Sequence, residues 1–263
     1  MGAFQVVPVK NPFHGLYSWL LKAAGFQRFS GHLLWVSGIS SEWNLLDCGS
    51  NRGIFLKRTL EQLPPPKNVV CVEANPLLAQ QLMEQWRIPI TALNRAVVAV
   101  DADAEVEFTI SENCEASSIY FSVASVFGVG RTVSVQTTTL QALVDLLPIG
   151  TPVVVKLDIE GAELDVLEQI PAECLQRIDQ MTVEFHDNLD PQMVPRVHAI
   201  IQSMRKQGFV VVRGDAPGNE DVLFIAANGI HGWASSTQIM AAKAITLTRG
   251  ILKTLFRLGR SNV

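Results

Sequence analysis

Asn44-Leu-Leu-Asp-Cys-Gly-Ser-Asn-Arg-Gly53 is an apolar run that ends in Asp47 and opens a glycine-spaced loop; Ile54-Phe-Leu-Lys-Arg-Thr-Leu-Glu61 follows with a helical pattern. Strand, glycine turn and helix start in that order suit a nucleotide-bearing ligand. Glycine lets the backbone approach the ligand, and the first N–H groups of a helix are free donors. The spacing Asp47-x-Gly49-x-Asn51-x-Gly53 differs from the G-x-G-x-x-G of dinucleotide enzymes, which argues against a pyrophosphate reader.

An acid at the head of such a loop fits a cationic ligand such as S-adenosylmethionine. The loop backbone would hold its carboxylate, and Asp47 would answer its ammonium and sulfonium. Glu73 supports a nucleoside site. It ends Val69-Val-Cys-Val-Glu73, the next strand by order, 26 positions after Asp47. The spacing expected of a carboxylate that accepts from ribose hydroxyls is ~20 residues. Asn75-Pro76 then starts a helix.

Two further blocks carry polar groups at strand ends, where open α/β sheets bind ligands. In Lys156-Leu-Asp158-Ile-Glu160-Gly-Ala-Glu163, Asp158 is placed near the reacting centre, and Glu163 reads as a carboxylate at a helix start. Lys156 is expected to pair with an acid. In Glu184-Phe-His186-Asp187, the histidine could take a proton from a hydroxyl near neutral pH. Cys114-Glu-Ala-Ser-Ser118 reads as a loop over the ligand or a hairpin turn.

The rest of the chain sets the frame. Strand candidates at 44–47, 68–73, 152–158 and 180–185 alternate with helix candidates at 54–62, 76–85, 140–146 and 163–170. Such alternation argues for a parallel sheet covered on both faces. Short β-rich runs at 98–100, 106–110 and 132–136 suggest an inserted hairpin or edge strands. Residues 209–213 and 221–226 read as a closing hairpin, and residues 11–29 as a mostly apolar helix. The chain divides into a helical lid or extension (1–40), the α/β domain (41–230) and a basic amphipathic helix (231–263).

Hydrophobic residues make up 48% of the 263 positions, enough for a sizeable core. The net charge of −4 and the lack of a basic stretch in the body disfavour nucleic acid as a partner. The four cysteines form no Cys-x-x-Cys pair, so a reducing compartment is expected and a zinc site is not. With neither a signal-like start nor the roughly 18 uninterrupted apolar residues of a spanning helix, a cytoplasmic protein is expected. From His231 to Val263 there are five basic residues and no acid, against 16 Lys/Arg and 25 Asp/Glu before it. Docking of that helix on its own domain is the preferred reading; a peripheral contact with anionic lipid is the second.

From Asn44 to Phe185 the chain resembles FkbM-type S-adenosylmethionine-dependent methyltransferases. The matching pieces are Leu46–Gly53, Val72–Pro76, Asn94-Arg-Ala96, Thr138-Thr-Leu140, Val155–Glu163 and Val183–His186. One departure is Ala74, where many members have Pro. The resemblance implies a class I, Rossmann-like methyltransferase fold: a doubly wound, mostly parallel seven-stranded sheet with one antiparallel strand, supplied by the closing hairpin. It implies O-methylation of a sugar, glycolipid or natural product. By that resemblance Asp47, Gly49, Asn51 and Gly53 would line the methionine part, Glu73 would hold the ribose, Asn94 or its neighbours would approach the adenine, and Asp158 would lie beside the methyl; Asn75 is also expected among the cofactor-binding residues.

Asp158, Glu160 and His186 are the expected catalytic group, with Asp158 and His186 as base and orienter. A metal-free mechanism is preferred to one in which these three hold a divalent ion. Two other readings stay open: a nicotinamide oxidoreductase, and a non-catalytic membrane-associated adaptor that keeps the fold.

Overall fold

A computed structural model describes residues 14–86, 88–100, 104–111, 118–119, 129–187, 191–214 and 219–227, with 240, 243–245, 247–248 and 251 of the tail. The decisive stretch folds as read. Strand β3 (Asn44–Cys48) passes through the loop to helix α2 (Ile54–Gln62). Then come β4 (Asn68–Glu73), α3 (Pro76–Gln85) and β5 (Thr91–Asn94). After an inserted layer, α4 (Leu140–Asp145), β9 (Val153–Leu157), α5 (Glu163–Gln169), α6 (Ala172–Gln176) and β10 (Gln180–Val183) continue the alternation. Helix α7 (Val194–Lys206), β11 (Phe209–Arg213) and β12 (Val222–Ala226) close it.

The main sheet has the order β11-β12-β10-β9-β3-β4-β5. Strands β10, β9, β3, β4 and β5 pair in parallel, and β12 runs antiparallel to both β10 and β11. This is the class I methyltransferase fold, with the antiparallel strand in the closing hairpin.

Register sorts the side chains into two faces, because neighbours along a strand point oppositely. Leu46, Val155, Met181, Phe224 and Val211 form one row. They meet the helices that carry Leu143, Leu164 and Ile200. Leu45, Val154, Gln180, Ile225 and Val210 form the opposite row. Its β3 end lies under Phe55, Leu56 and Leu82 of α2 and α3. Its β11–β12 end lies under the N-terminal segment.

That segment differs from the sequence reading. The helix expected over 11–29 is α1 (His14–Ala23), followed by a hairpin of β1 (Phe26–Phe29) and β2 (His32–Trp35). Gly25 stops the helix at φ +80°, where an added Cβ would lie 1.8 Å from Ser37 Oγ. Ser30 and Gly31 both have positive φ, which suits a two-residue hairpin turn. Apolar periodicity alone did not separate the two elements.

Gln180 fastens the hairpin to the sheet. Its Oε1 accepts from Trp35 N (3.0 Å) and its Nε2 donates to Trp35 O (3.1 Å), both buried. Asp221 adds a second clamp, accepting from Leu33 N (3.0 Å) and from Arg28 (2.7 Å).

The β-rich middle is a separate three-stranded sheet, β6 (Ala96–Val98), β8 (Val129–Thr139) and β7 (Glu105–Ser111), in the order β6-β8-β7. Its apolar side, with Phe108 and Ile110, packs near Ala74 at the end of β4. Of the Cys114–Ser118 stretch only Ser118 is described. It is buried, bridges to Thr109 and donates to Glu160 O at 2.6 Å. Most of the basic tail helix lies outside the described residues; positions 240, 243–245, 247–248 and 251 are helical. Among the described residues no helix is long and apolar enough to cross a membrane.

Gln180→Ala should cost about 2–4 kcal/mol in urea unfolding, because two buried backbone groups of Trp35 lose their partners. A loss under about 1 kcal/mol would show that the hairpin does not depend on this clamp.

Candidate active site

The carboxyl ends of β3, β4 and β9 converge on one cleft. Its polar wall is Gly49, Asn51, Glu73, Asp158 and Glu160, and its apolar wall includes Phe108 and Ile119. Gly49 has φ +74°, and a Cβ there would lie 1.7 Å from Asp158 O. The glycine is thus required by the close pass of two strand-end backbones as well as by its φ.

Glu73 is buried at the tip of β4. Its Oε2 accepts from Asn51 N (2.7 Å) and its Oε1 from Asn75 N (2.8 Å). Burial pushes its carboxyl upward, and these two N–H groups pull it back. The glycine loop and the head of α3 are therefore both fastened to one carboxylate.

Four of the residues expected to touch the cofactor stand behind the cleft wall. Asp47 points to the face covered by the hairpin and is fully buried. Neither of its oxygens has a hydrogen-bond partner among the described residues, and its Oδ1 lies 3.7 Å from Lys156 Nζ. Gly53 (φ +70°) precedes α2, with no room for a side chain beside Trp86. Asn75 caps α3 by accepting from Leu77 N (3.1 Å). Asn94 donates to Glu73 O and Ala74 O, both at 2.9 Å. The side chains of Asp47, Asn75 and Asn94 position the wall. Strand alternation and helix capping account for their direction, which motif spacing does not report.

Lys156 is the buried cation of the site. Its Nζ lies 3.1 Å from Asp158 Oδ2 and donates to Gly49 O. Burial alone would lower its pKa, but Asp158 and Asp47 outweigh that and raise it, so the ammonium stays charged. For Asp158, burial works upward, and Lys156 with His32 wins, holding the carboxyl well below its usual range. Asp158 is thus a firmly ionised group at the cleft and a weak proton acceptor.

His186 has carboxylates on both sides, Glu160 at 3.3 Å from Nε2 and Glu163 at 3.5 Å from Nδ1. Glu163 also accepts from Ile159 N (2.7 Å) and Gly161 N (3.0 Å), which closes the turn in which Glu160 takes φ +56°. Burial works to lower the His186 pKa, but the two carboxylates push it up to about 12. It is an imidazolium at neutral pH and has no free capacity to take a proton. The role of base expected of it therefore falls to another group.

Two residues to which the sequence reading gave no role stand beside Asp158. His32, on the N-terminal hairpin, is buried, with its ring edge against Phe55 (centroids 5.5 Å apart). Its Nε2 lies 3.5 Å from Asp158 Oδ2 and 3.8 Å from Glu184 Oε2. Burial, with Asp158 nearby, pushes the Glu184 carboxyl up to about 7. Glu184 shared the strand-end signal with His186; His32 had none, since it arrives from a distant hairpin. Among the described residues, two triads could offer a cation one ligand atom per residue: His32, Asp158 and Glu184, or Asp158, Glu160 and His186. In the second, the imidazole would first have to surrender a proton held between two carboxylates.

The family model of the methyltransferase FkbM domain matches residues 47–211, well over half of the chain. The chain belongs to the FkbM methyltransferase family. The assignment displaces the nicotinamide reading, and the family's cofactor is S-adenosylmethionine.

Among solved structures, the methyltransferase FkbM of Methylobacillus flagellatus KT is similar at 15% identity and a TM-score of 0.45, over 80% of this chain and 47% of that one. The present chain thus spans about half the length of that relative. The Methanococcus jannaschii fibrillarin pre-rRNA processing protein aligns at 10% identity and a TM-score of 0.42, over 78% of this chain and 71% of that one. M. capricolum TrmK, solved with S-adenosyl-homocysteine, aligns at 10% identity and a TM-score of 0.36, with the same coverage. No curated protein matches the chain.

The cleft suits the cofactor: a side-chain-free loop at Gly49, a strand-end carboxylate at Glu73, an apolar wall at Phe108, and an ionised Asp158. Gly49→Ala and Glu73→Ala should each weaken S-adenosylmethionine binding roughly tenfold or more in calorimetry, and unchanged affinity would move the cofactor elsewhere. A second expectation concerns pH. Because the folded-state pKa of His186 is raised, its stabilisation is complete below the ordinary value of 6.5 and is lost as pH rises toward about 12. The stability gap between wild type and His186→Gln, measured by denaturant unfolding, should therefore narrow from pH 6 to pH 10. A constant gap would count against the imidazolium.

Proposed function

We propose that the protein transfers a methyl group from S-adenosylmethionine to a hydroxyl oxygen of a small-molecule, saccharide or lipid-linked acceptor. The observation that carries this reading is the set of groups around Asp158. An ionised carboxylate at the cleft stands beside a second carboxylate, Glu184, whose pKa is near neutrality. A hydroxyl is a poor nucleophile unless a neighbouring group accepts its proton.

Gly49, Asn51, Glu73 and Asp158 would hold the cofactor, which when bound supplies an electrophilic methyl on its sulfonium. The protein's own part is alignment, charge and proton removal. Asp158, pinned by Lys156 and His32, presents fixed negative charge beside the site of transfer. Glu184 takes the acceptor's proton as the oxygen–carbon bond forms and the sulfur–carbon bond breaks. His32, between the two carboxylates, orients the pair. His186 and Glu163 keep Glu160 and the Gly161 turn in place. None of these steps requires a metal ion, and Lys156, His32 and His186 already stand beside the carboxylates that would bind one.

Glu184→Gln should lower kcat roughly a hundredfold and leave S-adenosylmethionine affinity within about twofold of wild type. The wild-type rate should rise with pH through about 7, as Glu184 loses its proton, and the variant should lack that inflexion. Asp158→Ala should lose turnover and also bind S-adenosylmethionine more weakly, because this carboxylate lines the cofactor cleft. An unaltered pH profile in Glu184→Gln would remove Glu184 as the base. Absence of methyl transfer to any hydroxyl acceptor, with the cofactor bound, would favour the non-catalytic reading.

A further inference from the structure

The outer surface of the N-terminal segment has a composition that the active site does not explain. Helix α1 buries Tyr17 and Leu21, one helical turn apart, in a cluster with Phe26, Leu33 and Trp35 of the hairpin. Tyr17 also donates its hydroxyl to Arg213 O at 2.6 Å. Three residues apart on another face, Leu16 and Trp19 are 47% and 63% exposed. Lys22, in the last turn, is exposed beside them.

The described part of the tail repeats the pattern. Ile245 is buried in the same cluster as Tyr17 and Leu21, so the tail helix is held on the domain at that point. The sequence spacing of Met240, Leu247 and Ile251 would set them within about 40° of one another on a helical wheel, on the side away from Ile245. All three are more than half exposed. A helix whose docked side is satisfied has no folding reason to keep three large apolar residues in water on the other. Lys243 is exposed on this helix, and Arg249, Lys253, Arg257 and Arg260 follow it in a segment without acids.

We propose that α1 and the C-terminal helix together form a docking surface for an anionic lipid bilayer. Trp19, Leu16, Leu247 and Ile251 enter the headgroup boundary, and Lys22 and Lys243 meet the lipid phosphates. Charge selects this occupant. The body carries 16 basic against 25 acidic residues and would be repelled by such a surface, while the tail has five basic residues and no acid. The exposed apolar residues lie on α1 and on the described part of the tail, one of them a tryptophan, whose ring suits the membrane–water boundary. The proposal is independent of which hydroxyl is methylated.

The test is co-sedimentation of the full chain with vesicles of phosphatidylcholine alone and of phosphatidylcholine with phosphatidylglycerol. Wild type should bind the anionic vesicles, bind neutral ones far more weakly, and release as salt rises. Leu247→Glu with Ile251→Glu, and separately Trp19→Ser, should each reduce binding by roughly tenfold or more. Lys243→Glu should reduce it at least about fivefold. Calorimetry with S-adenosylmethionine on each variant checks that the fold is intact; if the apolar variants fail it, Lys243→Glu and the salt titration decide. No binding of wild type to anionic vesicles would overturn the proposal. So would binding that is indifferent to salt and to these replacements. Sedimentation velocity supplies the last arm: a wild-type dimer that the apolar variants dissolve, without vesicle binding, would assign the surface to a second copy of the chain.

Discussion

One buried ammonium organises the end of the sheet. Lys156 holds Asp47 from β3, Asp158 at the end of β9, and the Gly49 carbonyl in the glycine loop. A charge in that position is costly unless it is paired, and each of its partners would be costly without it. The loop geometry, the ionisation of Asp158 and the packing of the hairpin over this pair therefore stand or fall together. The electrostatics of the cofactor wall follow from this arrangement and not from any one acid of the motif.

The histidines extend the same logic outward. His32 and His186 touch Asp158 and Glu160 from different elements, one from a hairpin near the chain start and one beyond β10. Each offsets a carboxylate that would otherwise repel its neighbours. The result is a row of acids with different protonation behaviour. Asp158 is held ionised, Glu160 and Glu73 are pushed upward by burial, and Glu184 is poised near neutrality. Environment, not residue type, assigns their roles.

What could be read from the chain alone was what is local in the chain. The bounds of β4, α2, α3 and β11 follow from apolar runs, glycine and proline, and the structure places all four where the sequence does. Gly49, Asn51, Glu73 and Asp158 line the cleft because they sit at strand ends, which order along the chain reveals. The hairpin was hidden because Gly25 and the Ser30–Gly31 turn interrupt a stretch whose apolar spacing also fits a helix. His32, Phe108 and Ile119 were hidden for a different reason: they reach the site only through tertiary packing. The ordinary signal for a histidine base at His186 was present, but its two carboxylate neighbours, one 26 and one 23 positions earlier, reverse its meaning.

The Gln180 and Asp221 clamps carry a consequence for what counts as the domain. The stretch shared with the family begins at Asp47 and ends at Val211, inside β11. The fold does not respect those limits. Leu33 and Trp35 lie before the stretch, and Asp221 and the antiparallel β12 lie after it. Without them the β11–β12 end of the sheet would lose its cover and β10 would become a bare edge. The heritable unit and the folding unit are thus of different lengths.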